Sequence, residues 1–341
     1  KEDLKYVLDP RNEIYSWVLS GGIGVGKSKI AIISQLYKLA VLTCLKNINE
    51  YLGLDNATQI SFGLFSLSLD KVEGALSEDF KKLISDSPYF KNVFPLKKAR
   101  TAKRVLNNQS TFGAAGMAEY EVLLPQNLRI LLGSKISHAL SLAVVSAILD
   151  EMNFRGKRTL SEEDDVDSAE NLYNQIRYRI TSRFERLGFL PGLLCVISSR
   201  TSTSGFIEAH IAKIDGGLSS RTGSWIAKND PHCFISSYSQ WDVKPDNYSK
   251  EKFHVFIGSS KTSSRILTEE EYKTFPENSP SLLAVPVSAR PHFENDINAA
   301  LRELAGISSS PTHLLFEDPV IVKNVWNTDR PNPFKEEVIP I

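Results

Sequence analysis

The sequence predicts an α/β fold in which a mainly parallel sheet is flanked by helices, with a small C-terminal subdomain. Short apolar runs alternate with longer segments whose apolar residues recur at helical spacing, which is typical of such a fold. Residues 143–149 (AVVSAIL) and 193–197 (LLCVI) are apolar throughout, as expected of strands buried on both faces of a parallel sheet. A further strand, residues 13–19, leads into a glycine-rich stretch and then a helix from Lys27.

The remaining elements continue this alternation along the chain. Helices are predicted where apolar residues recur at helical spacing, in residues 27–45, 70–84, 167–187 and 294–304. Strands are predicted in the shorter apolar runs, in residues 58–65, 105–131 (several short pieces), 234–241, 253–257 and 282–287. We assign residues 1–290 to one core and residues 291–341 to a lid or linker subdomain.

The composition is that of an ordinary globular chain without a global charge. Its 341 residues include 40 Lys and Arg and 40 Asp and Glu, so the formal net charge is zero. No long-range field therefore attracts the chain to nucleic acid or to an anionic membrane, and any such contact must be local. The longest apolar runs, such as residues 139–149, are too short to span a bilayer. The three cysteines lack metal-ligand spacing, which favours core thiols in a reducing compartment.

The glycine-rich stretch carries the pattern G-x-x-x-x-G-K-S. In such a loop, backbone amides surround phosphates and glycines let the chain approach them closely. We expect Lys27 to reach the β- and γ-phosphates of ATP, and the Ser28 hydroxyl to help hold Mg²⁺. The residues predicted to bind the nucleotide here are Gly21, Gly22, Gly24, Gly26, Lys27 and Ser28.

Two adjacent carboxylates follow the apolar run 143–149. Asp150 ends the predicted strand, where a carboxylate that holds Mg²⁺ belongs. Glu151 follows directly, and a second carboxylate can orient and deprotonate an attacking water. The pair favours hydrolysis of ATP over phosphoryl transfer to a small molecule. A guanine-reading N-K-x-D motif is absent from the sequence.

Hydroxyl residues follow the strand at residues 193–197. Ser198 and Ser199 begin a polar stretch, SSRT, at the predicted strand end. Hydroxyl groups in this position can hydrogen-bond a γ-phosphate, or its attacking water, together with a neighbouring loop. The two serines are therefore predicted to contact the nucleotide and to sense its hydrolysis, with an ordinary polar turn as the alternative.

Taken together, these motifs resemble the N-terminal ATPase domain of a phage large terminase, the motor that pumps DNA into a capsid. GGIGVGKS resembles the Walker A loop, AILDEMNF (residues 147–154) resembles the Walker B strand with its catalytic Glu, and VISSRTS resembles the coupling motif. SLDKVEGALSEDFKKLISDSPYF resembles the helix after the second strand, and VPVSARPHFENDINAALRELAGI resembles the segment after the core. The resemblance covers most of the chain, and the D-E-x-N-F tail is one of its more particular parts.

The resemblance implies an ATP-driven translocase of double-stranded DNA that uses ATP and Mg²⁺. Its partners would be a capsid portal protein and a small terminase subunit, and it would act as a homo-oligomeric ring. It implies a location in the cytoplasm of an infected host cell, and a nuclease domain after the ATPase domain. The sequence has no RNase H-like set of carboxylates, so we expect ATPase activity without DNA cleavage from these residues.

The sequence departs from the resemblance at Ile23, where many terminases carry an Arg. The segment before Walker B, from which some relatives supply the Arg, offers only Lys135 and His138. An arginine finger stabilises transition-state charge and is worth several powers of ten in rate. Either another Arg takes this role, with Arg200 as one catalytic candidate, or a neighbouring subunit supplies the Arg, or the isolated domain is slow. The remaining candidates are the basic residues of one predicted helix: Arg177, Arg179, Arg183 and Arg186.

Two basic groups could contact DNA phosphates or a neighbouring subunit, or could be plain solvated faces. One is the helix face formed by Arg179, Arg183 and Arg186, and the other lies in residues 97–104. Two other functions stay open from the sequence. The chain could be a helicase- or RecA-like DNA-dependent ATPase with another DNA task, or a non-catalytic scaffold whose nucleotide site regulates assembly.

Overall fold

The main sheet contains eight strands from the part of the chain that the structure describes. This computed structural model describes residues 1–66, 72, 76–93, 121–124, 126–133, 142–154, 168–186, 189–201, 205–216, 222–259, 262–276 and 279–309. The strands are β1 (Ser16–Gly21), β2 (Ile60–Phe65), β3 (Glu121–Leu123), β4 (Leu128–Gly133), β5 (Ala143–Leu149), β6 (Leu194–Ile197), β7 (Gly223–Ala227) and β8 (Asp230–Tyr238). Their order across the sheet is β3-β4-β2-β5-β6-β1-β8-β7.

The inner strands of this sheet are parallel, and only β3 and β7 at its edges run antiparallel to their neighbours. Strands β1, β2, β4, β5 and β6 are buried along their whole length. Strands buried on both faces need helices on both sides of the sheet. The predicted α/β fold with a mainly parallel sheet is therefore confirmed.

Helices cover the main sheet and complete the smaller unit. Within the described residues they are α1 (Glu2–Leu8), α2 (Lys27–Thr43), α3 (Ile48–Leu52), α4 (Ser77–Asp86), α5 (Pro88–Val93), α6 (Ala169–Phe184), α7 (Phe206–Asp215), α8 (Gln240–Val243), α9 (Glu269–Tyr272), α10 (Arg290–Asn295) and α11 (Ile297–Glu303). Single 3-10 turns lie at Pro10–Asn12, Met152–Phe154, Pro245–Asn247 and Val287–Ala289. Among these described segments, none of the helices has the length and apolar character needed to cross a membrane.

Local backbone features explain two of the differences between the predicted and the observed element boundaries. The first strand begins at Ser16 rather than at residue 13, because Glu13 takes a left-handed conformation (φ 52°) after a 3-10 turn. The predicted helix at residues 294–304 is divided into α10 and α11 at Asp296. The backbone of Asp296 is extended, and its carboxylate accepts a hydrogen bond from the Ala299 amide at 2.9 Å, which caps α11.

The strand order brings the ends of three motif-bearing strands to one edge of the sheet. Strand β1 lies between β6 and β8, and β5 lies on the other side of β6. Leu19 in β1 pairs with Ile197 in β6, and Leu149 in β5 pairs with Val196 in β6. Because parallel strands point the same way, the loops after β1, β5 and β6 emerge together.

A smaller unit with its own core follows the main sheet. Its antiparallel sheet has the order β10-β9-β11, formed by β9 (Lys252–Phe256), β10 (Arg265–Ile266) and β11 (Leu282–Pro286). The buried residues of its core are Trp241, Phe253, Val255, Val285, Ala289, Phe293, Ala300, Leu301, Ala305 and Ile307. This second sheet lies within residues 1–290, which the sequence analysis assigned to a single core. An apolar run in the sequence predicts a strand, but it does not show which other strands that strand pairs with. The proposed division at residue 290 stays a prediction, and residues 310–341 lie outside the described residues.

Candidate nucleotide-binding site

The glycine loop joins the central strand β1 to the first turn of α2. Gly26 is the N-cap residue of α2 and has a φ of 85°, a left-handed conformation that glycine adopts without steric cost. This turn brings the loop against the N-terminal end of a 17-residue helix. Unpaired amides and the positive end of the helix dipole both favour an anion there. The local geometry is therefore that of a phosphate-binding loop.

The loop borders a cavity of about 300 Å³ whose walls come from three strand ends. The loop and the start of α2 contribute Ile23, Gly24, Gly26, Lys27, Ser28 and Lys29. The segment after β5 contributes Asp150, Glu151 and Phe154, and the end of β6 contributes Ile197, Ser198 and Ser199. The structure thus brings together most of the site residues that the sequence predicted, with Gly21, Gly22 and Arg200 outside the lining.

The Lys27 ammonium is held by backbone carbonyls of its own loop. Its Nζ donates hydrogen bonds to the carbonyl oxygens of Gly21 (3.0 Å) and Gly22 (2.8 Å), and to Ser199 Oγ (3.3 Å). Burial lowers the pKa of Lys27 to about 8, while the charges of Asp150 and Glu303 act in the opposite direction. Lys27 therefore lies in the cavity, and with a pKa of about 8 its side chain becomes uncharged as the pH rises above this value.

This lowered pKa predicts that ATP binding takes up a proton at alkaline pH. Phosphates favour the charged form of Lys27, so they restore the proton that burial removes. With a pKa of about 8 in the free protein, the apparent affinity for ATP should fall about tenfold between roughly pH 7 and pH 9. Calorimetry at pH 8 to 9, in buffers of different ionisation enthalpy, measures the uptake. Binding without proton uptake would contradict the assignment.

The acidic pair after β5 lies in a strained turn at the cavity. The Asp150 amide donates to the Phe65 carbonyl (2.8 Å), which ties the turn to β2. The Glu151 amide donates to Asp150 Oδ1 at 3.0 Å. Glu151 has a φ of 56°, and this left-handed conformation costs a non-glycine residue about 1 kcal/mol or more. Such strain clusters at functional sites, and no sequence signal could have predicted it.

The donor atoms at the cavity fit Mg²⁺ that is shared with a nucleotide. Ser28 and Asp150 both line the cavity and offer a hydroxyl and a carboxylate oxygen. Mg²⁺ prefers oxygen ligands, keeps several waters, and commonly uses one or two protein ligands together with substrate phosphates. Over the described ranges, no cluster of three or more His, Cys, Asp or Glu side chains could hold a metal alone. The donor set therefore fits a metal held partly by the phosphates.

Asn153 links the turn after β5 to the end of β6 and to α7. Its backbone amide donates a hydrogen bond to Ser198 Oγ (3.1 Å), and its side-chain Nδ2 donates one to the Ser199 carbonyl oxygen (2.9 Å). Its Oδ1 accepts from the Ile207 amide at 2.7 Å. Asn153 therefore holds the turn after β5 against the two predicted sensor serines. The sequence signalled it only as the Asn of the D-E-x-N-F tail.

Glu208 on α7 is a fully buried carboxylate beside this network. It accepts hydrogen bonds from Asn153 Nδ2 (3.0 Å), Thr201 N (3.4 Å) and Ser308 Oγ (2.5 Å). A buried carboxylate needs such partners to offset its desolvation. Because Ser308 belongs to the smaller unit, Glu208 connects that unit to the turn after β5. Glu208 could not be predicted from the sequence, since an isolated Glu in a helix is usually exposed.

A family model matches residues 1–266 of the chain and is described as "Uncharacterized protein MJ0330, N-terminal P-loop domain". The chain belongs to this P-loop domain family. The match includes the glycine loop, Asp150 and Glu151, and all eight described strands of the main sheet. The chain is thus a P-loop NTPase domain. A comparison with curated proteins found no match.

Solved structures of phage large terminases are similar to this P-loop domain. One, from a thermophilic bacteriophage, is 9% identical with a TM-score of 0.41 and covers 84% of this chain and 53% of its own. The same phage's large terminase in complex with ADP is 12% identical, with a TM-score of 0.37 and coverages of 73% and 47%. The large terminase ATPase domain of a Thermus phage is 13% identical, with a TM-score of 0.38 and coverages of 68% and 78%.

These solved structures belong to large terminases, the family that the motifs of the chain resemble. The P-loop domain spans about half the length of the two terminase chains from the thermophilic phage. Since all three TM-scores lie below 0.5, the assignment of the fold rests on the family match and on the strand order described above.

Arg200 lies behind the glycine loop of the P-loop domain rather than at the cavity. Its side chain is buried, with 3% of the residue exposed, and its Nε donates to Ser20 Oγ in β1 at 3.2 Å. Burial lowers the pKa of Arg200, and the nearby Glu208 carboxylate opposes this shift. Arg200 therefore makes a buried contact that joins the end of β6 to β1. The predicted catalytic role of Arg200 stays a prediction.

The arginines of α6, and Arg186 just after this helix, also lie outside the cavity lining. Arg177 pairs with Asp230 (3.5 Å), and Arg186 Nη1 donates to the Tyr51 carbonyl (3.1 Å) at the end of α3. Burial lowers the pKa of Arg179, and the neighbouring Arg183 charge adds to this. The predicted DNA or subunit contact of this face stays a prediction. The other basic candidates, residues 97–104, Lys135 and His138, lie outside the described residues.

The smaller unit packs directly on the first two glycines of the loop. The Ile23 amide donates to the Glu303 carbonyl at 2.7 Å, and Gln240 Nε2 donates to the Ile23 carbonyl at 2.8 Å. Gly306 lies so close that a Cβ atom on it would overlap the backbone of Gly21 and Gly22. The second unit therefore supports the phosphate-binding loop from behind.

We predict that Gly306→Ala lowers ATP affinity at least tenfold, because its Cβ would displace the loop backbone that binds phosphates. Gly216→Ala is the matched control, since Gly216 is also left-handed (φ 79°) but its nearest neighbour would be Asn229 Nδ2 at 3.7 Å. The control should lose about 1 kcal/mol of unfolding free energy and bind ATP normally. Calorimetry and thermal unfolding measure both quantities. Equal ATP affinity in the two variants would contradict the predicted support.

Proposed function

We propose that this P-loop domain hydrolyses ATP and is the motor domain of a viral large terminase that translocates double-stranded DNA into a capsid. The observation that supports hydrolysis is the common cavity of Lys27, Asp150 and Glu151. A phosphate-binding lysine, a carboxylate suited to Mg²⁺ and a second carboxylate for water are the groups that this reaction needs. The terminase assignment rests on the resemblance of the motifs and their order in the chain.

In the proposed reaction, the loop amides and the Lys27 ammonium bind and orient the phosphates. Ser28 and Asp150 would hold Mg²⁺, which supplies positive charge at the β- and γ-phosphate oxygens. Glu151 orients a water molecule and accepts its proton as the water oxygen bonds to the γ-phosphorus and the bond to the ADP oxygen breaks. Asn153 fixes the distance between this base and Ser198, so the serine can respond to loss of the γ-phosphate.

Partners and location are part of the proposal. The domain would act on double-stranded DNA as a homo-oligomeric ring, with a portal protein and a small terminase subunit, in the cytoplasm of an infected host cell. Sequence-independent phosphate contact suffices for translocation, because the motor must accept any sequence. The α6 face with Arg179 and Arg183 is one described surface that could provide it.

DNA dependence of hydrolysis tests the motor assignment. Phosphate release by the full chain should increase when linear double-stranded DNA is added, and a forked duplex should stay unseparated in the same buffer. Strand separation would instead favour the helicase-like alternative. Binding of ATP without hydrolysis, at protein concentrations that allow ring assembly, would favour the scaffold. Either result would overturn the proposal.

A further inference from the structure

Within the described residues, Lys27 and Lys29 are the positively charged side chains that line the cavity where a nucleoside triphosphate would bind. Lys27 is already engaged by two loop carbonyls, and Arg200 is buried behind the loop. The side chain at position 23 is an isoleucine, with 53% of the residue exposed. Hydrolysis moves negative charge onto the ADP leaving group, and P-loop enzymes stabilise this charge with an additional cation supplied in cis or in trans.

The helix α8 fixes the chain of the smaller unit beside the loop apex. A capping box begins it, in which Ser239 and Asp242 exchange side-chain and backbone hydrogen bonds. Its first residue, Gln240, donates to the Ile23 carbonyl through Nε2 and to the Leu304 carbonyl through its amide (2.9 Å). The Lys244 amide closes the turn by donating to the Gln240 carbonyl at 2.9 Å. The backbone of Lys244 is therefore held one helical turn from the contact with the loop.

The Lys244 side chain extends to the glycine loop and lies beside Gly24. A Cβ built on Gly24 would lie 3.6 Å from Lys244 Nζ, and no other heavy atom would approach it within 4 Å. Gly24 lines the cavity. Lys244 is exposed, and its ammonium makes no hydrogen bond or ion pair with any residue that the structure describes. A charged group thus lies against the phosphate-binding loop with its donors available.

We propose that Lys244 supplies, within the same chain, the additional cation for the phosphates of the bound nucleotide. The proposal rests on the proposed ATP hydrolysis. As the bond between the γ-phosphorus and the ADP oxygen breaks, the Lys244 ammonium stabilises the charge on the leaving phosphates, and the proton of the attacking water goes to Glu151. Lys244 neither gains nor loses a proton.

Turnover of charge-changing variants tests Lys244. In Lys244→Ala, kcat should fall about 100-fold while the ATP dissociation constant rises by no more than about tenfold, because Lys244 already meets the bound nucleotide and stabilises the charge of the transition state more strongly. Lys244→Arg should keep most of the kcat, since it keeps the charge. Lys250→Ala is the matched control, an exposed lysine of the same unit, and should match the wild type. A wild-type kcat for Lys244→Ala, beside an inactive Glu151→Gln, would overturn the proposal.

Lys29 provides an internal competitor, because it also lines the cavity. If Lys29→Ala lowered kcat and Lys244→Ala did not, the cation would come from α2 and the proposal would fail. The three-way comparison of Lys29→Ala, Lys244→Ala and Lys250→Ala therefore assigns the charge to one position.

Amine labelling separates this proposal from the proposed function. Acetylation of the intact chain, followed by mass spectrometry, should show that ATPγS with Mg²⁺ protects Lys244 and leaves Lys250 unchanged. If the wild type releases no phosphate from ATP, the proposed function fails, but the labelling still tests whether Lys244 meets the nucleotide. Equal labelling of Lys244 with and without bound ATPγS would overturn the contact.

Discussion

Replacing Glu151 with Gln should abolish ATP hydrolysis and leave ATP binding intact. Glutamine keeps the size of the side chain and fits the left-handed backbone as well as Glu does, but it cannot accept the proton of the attacking water. Glu151 lines the cavity beside Asp150. The hydrogen bond from Glu151 to Asp150 Oδ1 is donated by the backbone amide of Glu151, not by its side chain. The variant therefore removes the base without removing the phosphate or Mg²⁺ ligands.

For Glu151→Gln, kcat should fall by about 100-fold or more, the range that a positioned general base contributes. The ATP dissociation constant from calorimetry should stay within about threefold, because binding to the ground state is unchanged. Glu170→Gln is a control, since Glu170 is an exposed residue of α6. A variant that turned over ATP at the wild-type rate would remove Glu151 from the mechanism.

Replacing Lys27 should remove nucleotide binding itself. Its Nζ reaches two loop carbonyls and Ser199, so it lies where phosphates would meet both the loop and β6. Charge-assisted hydrogen bonds contribute about 1.5–3 kcal/mol each, so Lys27→Ala should weaken ATP binding by roughly 10- to 100-fold or more. Calorimetry with Mg²⁺ and ATP measures the loss.

Lys27→Met separates the charge of Lys27 from its shape. Methionine keeps most of the apolar stem and lacks the ammonium, so it should lose ATP affinity as Lys27→Ala does. Near-wild-type unfolding temperatures would show that both variants are folded. Unchanged ATP affinity in either folded variant would contradict the phosphate contact.

Much of the fold and most of the cavity-lining residues follow from local signals. Residues 143–149 and 193–197 are apolar throughout, and only strands buried on both faces suit such runs. The glycine pattern specifies a loop conformation, so Lys27 and Ser28 could be assigned from spacing alone. Asp150 could be added because carboxyl ends of parallel strands meet at one edge, whatever the strand order between them.

The rest depends on contacts between distant parts of the chain. Glu208 and Ser308 are separated by 100 positions, and nothing near either residue signals their hydrogen bond. Arg200 follows two serines in a polar stretch, which in the sequence suggests an exposed turn. Tertiary packing instead buries Arg200 against Ser20. The approach of Gly306 to the glycine loop is equally non-local. A sequence pattern reports which face of an element is apolar, but it does not report which element covers that face.

The central claim, that the cavity after β1, β5 and β6 hydrolyses ATP, is tested most directly by phosphate release. Wild-type chain and Glu151→Gln would be saturated with ATP and Mg²⁺ at a concentration that allows self-association, with double-stranded DNA present. Calorimetry would verify that both bind ATP. We expect the wild type to release phosphate, EDTA to stop the release, and Glu151→Gln to release almost none. Equal phosphate release by the two proteins, or ATP bound by the wild type without release, would contradict the account.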